Sequence, residues 1–532
     1  MKPFAAPLDD ILFSLDHLGG AGRLPEWDAE FVADIAGHFA AFAEREIAPL
    51  DAPGDRQGCR LIEGRVVMPD GFGAVYAALA AQGWQGLTAP EVYGGQGMGG
   101  VVMSITSEIF SGACHSLQMV SGLVPGAIRT VMTFGTDEQK QRLIPPLASG
   151  AWLATMALTE PGAGSDLSRV RTLAVPKGDH WQISGEKIFI SGGDQDMSDG
   201  ILHLVLARTS DEGVRGLSLF VCIDRLDGTV DGARNAITVT RIEDKMGLHA
   251  SPTCQLAFDR AQAEMIGQPG DGLKAMFTMM NHARLDVALQ GVAHAARAHD
   301  VTSAYAADRV QGRGAEGAAV TLDQHADVRR MLDEIDALAL GARAICQIAA
   351  VTLEAGDNPP LVEFLTPIAK VYGSDAGIKA AELGMQVLGG YGYLAEYRLE
   401  QTYRDARIAA IYEGANGIHA RALAERLLRG SNAVTADAFE AYLARLSDDT
   451  MFGQTLAIWR EGRVVVAGAN DPTPLAHDFM ALSVDTMLHG IWLRYAQVAD
   501  QHKDPARLRR VAQAQIRRIT AVLPGRLALL RS

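Results

Sequence analysis

The spacing of apolar residues changes twice along these 532 residues, and that double change limits the possible fold more than any other feature. Over residues 1–150 Ala, Leu, Phe and Glu recur at helical spacing, as in DAEFVADIAGHFAAFAEREIAPL (28–50). From 151 to 265 the pattern becomes short apolar runs such as WQISGEKIFI and ILHLVLA, separated by turn residues, which predicts a β-rich domain. Beyond Gly272 helical spacing returns in long Ala- and Leu-rich segments as far as Leu428, and 433–532 reads as further helix. The expected fold class is α+β and mostly α, in four parts: 1–150 helical, 151–265 β, 266–432 a helical bundle and 433–532 an additional helical domain. GWQGLTAPEVYGGQGMGG (83–100) interrupts the first part with Gly and Pro, as either a loop beside a ligand or a plain connector.

A chain of this length exceeds one ordinary domain. Its net charge of −15 argues against general nucleic-acid binding. Five cysteines (Cys59, Cys114, Cys222, Cys254, Cys346) are odd in number and lack metal-ligand spacing, so they read as reduced thiols, and no metal is expected. No N-terminal segment joins a basic flank to an apolar core, and no run of about 18 apolar residues stands out. The expectation is a soluble cytoplasmic protein without a transmembrane segment.

Two motifs carry chemistry. In YRDARIAAIYEGANGIHA (403–420) the acidic Glu413 sits between Tyr412 and Gly414 among small and apolar residues. Burial there would raise its pKa and make it a better base for a proton on carbon beside a carbonyl, although Glu-Gly also marks many solvated turns. ALTEPGAGSD (157–166) combines Thr159 and Ser165 hydroxyls with Pro161, Gly162 and Gly164. Such a loop can bring backbone close to a polar heterocycle or phosphate, or can be an ordinary Gly/Pro hairpin.

Together these stretches resemble the acyl-CoA dehydrogenases. The likeness extends through GEKIFISGG (185–193), DKMGLHASPT (244–253), NHARLDVALQGVA (281–293), DRVQGR (308–313) and GMQVLGGYGY (384–393), and runs from 83 to 428. It implies a helical domain, a small β domain and a four-helix bundle, with FAD as cofactor and an acyl-CoA thioester as substrate. The opening KPFAAPLDDILFSL, with HASPTCQLAF and MFTMMNHARL, is most similar to the branch that includes 3-methylmercaptopropionyl-CoA dehydrogenase.

The resemblance implies α,β-dehydrogenation to the trans-2-enoyl-CoA. Glu413 would take the α proton, its backbone N–H and a flavin ribityl hydroxyl would hold the thioester oxygen, and flavin N5 would accept the β hydride. Some members carry the base immediately before an arginine matching Arg284; here that position is Ala283, which leaves Glu413. Met156, Leu158, Thr159, Gly164 and Ser165 match the loop at the flavin edge, with Ser165 also near substrate. Phe189, Ile190 and Ser191 match the segment covering the flavin ring, each with strand core as the plainer reading. Arg309 matches an arginine that reaches the FAD diphosphate of a neighbouring subunit, against a solvated helix arginine; Gln311, Gly312 and Arg313 depart from the usual Phe-Gly that follows. Gln386, Leu388, Gly389 and Gly390 match a second inter-subunit FAD contact, and Ala415 and Asn416 complete the cofactor set. Asn281 and Arg284, three apart on one helix face, match a CoA-contacting pair, and Gly414 matches a residue that lines the acyl thioester. The Met-rich KAMFTMMNHARL is either an adaptable pocket or core.

By the same resemblance electrons pass to an electron-transferring flavoprotein, and the chain forms a homodimer or dimer of dimers. Between 501 and 532, eight basic residues (Lys503, Arg507, Arg509, Arg510, Arg517, Arg518, Arg526, Arg531) face one acid, Asp504. They fit a helix face packed on acidic protein, an anionic lipid surface or nucleic acid. The last matters because one branch of the superfamily is a flavoprotein associated with alkylated DNA. It keeps open, as one rival, a flavin-bearing DNA-damage-response protein that binds DNA; an acyl-CoA oxidase is the other.

Overall fold

The computed structural model describes residues 2–226 and 232–532, with the side chain of Asn281 also outside the described set. It comprises two compact bodies, one of Arg45–Met103 with Ala113–Ala283, the other of Met1–Glu44, Ser104–Gly112 and Arg284–Ser532.

The first body is organised by seven strands: β1 (Trp152–Ala157), β2 (Leu173–Lys177), β3 (His180–Ser191), β4 (Gly200–Arg208), β5 (Leu217–Ile223), β6 (Ile237–Ile242) and β7 (Thr253–Ile266). Pairing runs β4 to β2, β3, β7 and β5 and returns to β4, while β1 adds parallel to β4 and β6 antiparallel to β7. Closing the ring removes free edges from its member strands. β4 is buried along almost its whole length, so its sequence is a near-continuous apolar run instead of an alternation. Its one imidazole, His203, is satisfied by the Thr155 hydroxyl at 2.7 Å.

The helical reading of 1–150 holds with one exception, a hairpin of Arg60–Ile62 and Arg65–Val67. It is fastened by Asp194, which accepts from Arg65 at 2.7 and 2.8 Å and from the Val66 N–H at 2.7 Å. That anchor lies 128 residues away, which is why local spacing does not reveal it. The Met-rich stretch proves to be core, with Met276, Met279 and Met280 buried.

The second body is helical: α1 (Gly272–Asp308, from Arg284 onward), α2 (Ala326–Ala355), α3 (Pro359–Leu388), α4 (Asn416–Glu425), α5 (Val434–Leu443), α6 (Thr450–Gly468), α7 (Ala476–Val498) and α8 (Pro505–Arg531). Residues beyond 432 do not make a core of their own. Phe364 of α3 stacks on Phe439 of α5 at 4.6 Å and meets Trp459 of α6 edge-on at 6.3 Å, inside one apolar cluster that reaches Leu530. α2 corrects one expectation, since it contains an 18-residue stretch that by length and composition is apolar enough to cross a bilayer; 94% of that stretch is buried inside the protein.

α1 and α3 touch backbone to backbone. A Cβ on Gly291 would lie 2.0 Å from the Gly373 carbonyl oxygen, and one on Gly377 would lie 2.7 Å from that of Gly291. Only glycine permits this approach.

The basic stretch lies on α8 and the turn before it, and seven of its eight charges are met by acids of the same body. Arg507 binds Asp10 in bidentate fashion (2.9 and 3.1 Å) and reaches Asp336 at 2.6 Å. Arg510 pairs with Asp333 at 2.9 Å, Arg518 with Glu334 at 3.1 Å and Arg526 with Asp485 at 3.0 Å. Lys503, Arg509 and Arg531 pair with Asp9, Asp500 and Glu461. The packed-face reading accounts for this region.

A more deeply buried pair joins Arg343 of α2 to Glu108 at 2.7 and 2.9 Å, both essentially without exposure. Arg343→Met strands the Glu108 carboxylate and should cost about 3–5 kcal/mol. Arg510→Met, at a half-exposed pair, should cost less than about 1 kcal/mol. Denaturant midpoints of the two variants check the contrast.

Candidate active site

The helical body holds a turn built around Glu413. A tight turn over Arg407–Ala410 leads through Tyr412 into two left-handed residues, Glu413 (φ +53°) and Gly414 (φ +89°), before α4 begins at Asn416. A non-glycine residue in that region is strained by roughly 1–3 kcal/mol and needs outside support.

Support comes from several sides. His419, one turn into α4, meets the Glu413 carbonyl through Nε2 at 3.0 Å, and a Cβ on Gly414 would come within 2.8 Å of the same nitrogen. Burial, with Arg284 and Lys370 nearby, pushes the His419 pKa down to about 4. The neutral ring therefore donates from Nε2, a tautomer assigned from its carbonyl partner. From α3, Lys370 Nζ donates to the Gly414 carbonyl and to Asn416 Oδ1, each at 2.8 Å. The Asn416 amide in turn donates to Ser374 Oγ at 3.0 Å and Asp375 Oδ1 at 2.8 Å. From α1, Gln290 accepts from the Tyr412 hydroxyl and donates to Asp286 at 3.2 Å, and Asp286 also accepts from Ser107.

The Glu413 carboxylate is treated differently from the turn that carries it. Its Oε2 is enclosed and has no hydrogen-bond partner among the described residues. Burial pushes its pKa up to about 7; Arg284 and Lys370 pull against that rise and Asp286 adds to it. A carboxylate poised there is half ionised near neutrality and markedly more basic than a solvated one. Arg284 is itself lowered by burial, opposed by Glu413, and Lys370 is brought to about 8 by burial, opposed by Asp375 and Glu413.

Gly414, Arg284 and Asn416 thus gather around Glu413. Asn416 spends its side chain inside the body, and Ala415 beside it is exposed. The side chain of Asn281 lies outside the described residues. Elsewhere in this body Arg309, just past the end of α1, stands 5.6 Å from the centre of the Tyr391 ring. That brings it beside the Gly389–Tyr393 turn, where Gly389 and Gly390 are exposed and Gln386 precedes them, while Leu388 is buried. Gln311, Gly312 and Arg313 form part of an exposed hairpin, Val310–Arg313 against Ala319–Thr321.

In the sheet body the loop after β1 is pinned to β3. Lys187 Nζ reaches Glu160 at 2.8 Å and the Leu158 carbonyl at 3.0 Å, and the Ile188 N–H donates to Thr159 O at 2.9 Å. Burial alone would raise the Glu160 pKa, but Lys187 outweighs it and the net shift is downward. Beside this anchor β3 slips register between Lys187 and Ile190. Phe189, in the slip, takes φ +59° and stands 60% exposed, whereas Ile190 turns into the core. Gly164 and Ser165 are exposed, Met156, Thr159 and Ser191 half-buried, and Leu158 is buried. Among the described residues no three His, Cys, Asp or Glu side chains gather as a metal site requires.

Sequence reasoning missed Lys370, His419, Gln290 and the Glu160–Lys187 anchor. Lys370 leaves a legible trace, a lone lysine in the apolar run TPIAKVYG with Ser374 four residues on and so on the same face.

The chain matches the family models described as acyl-CoA dehydrogenase, N-terminal domain (33–151), middle domain (155–261) and C-terminal domain (270–428). It is 40% identical over 480 residues to 3-methylmercaptopropionyl-CoA dehydrogenase of Ruegeria pomeroyi, covering 85% of this chain and 81% of that protein. Butyryl-CoA dehydrogenase from Megasphaera elsdenii superposes with a TM-score of 0.66 at 26% identity, over 76% of this chain and 100% of that one. Caenorhabditis elegans ACDH-11, solved in complex with C11-CoA, is 21% identical and alike in fold, with a TM-score of 0.80 over 97% of this chain and 92% of that one.

The raised Glu413 pKa has a stability consequence of definite sign. Between the ordinary value of 4.5 and about 7 the native state holds more protons than the unfolded chain, so stability falls as pH rises through that window. Glu413→Gln removes this penalty. The variant should be the more stable at pH 8, by up to about 3 kcal/mol, with the gap closing towards pH 4; melting temperatures of both proteins against pH check this.

Proposed function

This chain belongs to the acyl-CoA dehydrogenase family, and on that premise we propose that it catalyses FAD-dependent α,β-dehydrogenation of an acyl-CoA thioester to the trans-2-enoyl-CoA. The observation that carries the reading is the enclosed, unpartnered Oε2 of Glu413, poised near neutrality on a buttressed turn. An α proton of a thioester is too weakly acidic for a carboxylate acting alone. Charge developing on the thioester oxygen needs a donor, and the backbone N–H of Glu413 is assigned that part while Oε2 takes the proton. Arg284 and Lys370 keep positive charge close enough for the anion to form before substrate arrives.

The residues present fit a flavin. Cβ positions at Gly164, Gly389 and Gly390 meet nothing within 4 Å, so backbone there is open to close approach, and Phe189 offers an exposed ring from a strained position. FAD would be held by the Thr159–Ser165 loop and the Phe189–Ser191 segment, with Arg309 and the Gln386–Gly390 stretch serving a neighbouring copy in a homodimer or dimer of dimers. Bound FAD supplies the acceptor for the β-hydrogen and its electron pair. An electron-transferring flavoprotein is proposed as the next acceptor and the cytoplasm as the setting.

The 40% identical relative supports 3-methylmercaptopropionyl-CoA as the substrate to try first, beside saturated acyl-CoAs of graded length. No observation favours the DNA-associated alternative, because seven of the basic side chains that suggested it are paired with acids: Lys503, Arg507, Arg509, Arg510, Arg518, Arg526 and Arg531.

Anaerobic mixing of the yellow protein with these thioesters should bleach the flavin with at least one of them. The rate should rise with pH through about 7, since only ionised Glu413 can accept the proton. Glu413→Gln should keep FAD and bind acyl-CoA but bleach slower by roughly a thousandfold. Normal bleaching by that variant would remove Glu413 from the role of base.

A further inference from the structure

No hydrogen bond fixes the direction of Glu413 Oε2, which has no partner among the described residues. Direction must then come from the backbone that carries it, and that backbone is left-handed at two consecutive residues. We infer that Lys370 is a positioning residue for the proton transfer: its ammonium, held at once on the Gly414 carbonyl and the Asn416 side chain, locks the turn that aims Glu413. This rests on the reading of Glu413 as the base.

The geometry supports a clamp with two jaws. Lys370 grips the Gly414 carbonyl from α3 at 2.8 Å, and His419 grips the Glu413 carbonyl from α4 at 3.0 Å. The second contact of Lys370, Asn416 Oδ1, belongs to a side chain itself fastened to Ser374 and Asp375, so the ammonium sits in a cradle built from α3 and the start of α4. Lys370 is fully buried, and an apolar residue there would avoid the cost of desolvating an ammonium. The charged groups that influence it are Asp375, Glu413 and Arg284. Its hydrogen bonds go to neutral oxygens, and none of those charged groups pairs with it directly among the described contacts. A lysine kept for charge balance would be expected to bond a carboxylate; this one bonds the turn.

The deciding experiment compares Lys370→Met and Lys370→Arg with the parent protein in FAD content, affinity for an enoyl-CoA product and anaerobic flavin reduction. Reduction is followed over the pH range in which Glu413 titrates. Lys370→Met is expected to keep FAD and product affinity while reduction slows by roughly 10- to 100-fold, including on the high-pH plateau, as a misplacement of about 1 Å would produce. Lys370→Arg should recover part of the loss. A plateau equal to the parent's, with only the apparent pKa moved, would reduce Lys370 to a distant charge and overturn the inference. So would a change confined to KM. If Lys370→Met does not fold, Lys370→Gln, which keeps a donor and much of the length, undergoes the same comparison. Glu413→Gln measured in parallel separates the two ideas. Normal reduction there sinks the base assignment itself, whereas lost reduction there beside parental reduction in Lys370→Met sinks only the role of Lys370.

Discussion

The position of Glu413 depends on two helices that meet without side chains between them. Gly291 on α1 lies against Gly373 and Gly377 on α3, closer than any Cβ allows. That contact brings Gln290 and Lys370, each within a few residues of the crossing, to opposite ends of one short turn. One holds Tyr412 and the other Gly414, with Glu413 between them. Widening the crossing by a methyl group would separate the two supports before it disturbed either one. The small residues of the bundle are therefore part of how the site is aimed.

Three glutamates, Glu108 and Glu160 buried and Glu413 with its Oε2 enclosed, show how partners decide what a carboxylate can do. Glu108 is saturated by Arg343, and Glu160 is held by Lys187 and two backbone N–H groups, which keeps it ionised. Glu413 is denied such contacts and moves the other way, although Arg284 and Lys370 are near. The first two are structural because their lone pairs are spent. The third retains a free oxygen, which makes it chemically available and a liability for stability.

Much of this was legible from residues alone. The two changes in apolar spacing mark the strands and helices because burial imposes a period on each. Glu413 stood out as an acid among small and apolar neighbours, but those residues alone also fit a solvated turn, and its role came from the family resemblance. What stayed hidden was non-local. The hairpin at Arg60–Val67 depends on Asp194, and the clamp on Glu413 needs a lysine 43 positions earlier, two distances that periodicity does not encode. The extra helices beyond 432 were legible as helices, but their merger with the bundle rests on Phe364, Phe439 and Trp459 meeting in space. The basic stretch likewise shows its charge in sequence and its acidic partners only in the fold.

The pairing of α8 with the helix at Leu8–Ser14 has a kinetic side. Arg507 and Asp10 are 497 positions apart, and Phe13 packs into the same cluster as Tyr495 and Leu530. During synthesis, then, the early segment emerges long before the surfaces that cover it exist. Its apolar face must wait, exposed, through the production of nearly everything else. Contacts of such separation are slow to form and leave partly built chains prone to association. For this protein the vulnerable moment is the interval between making residue 13 and making residue 495, which makes assembly, more than the finished fold, the stage at which chaperones would matter.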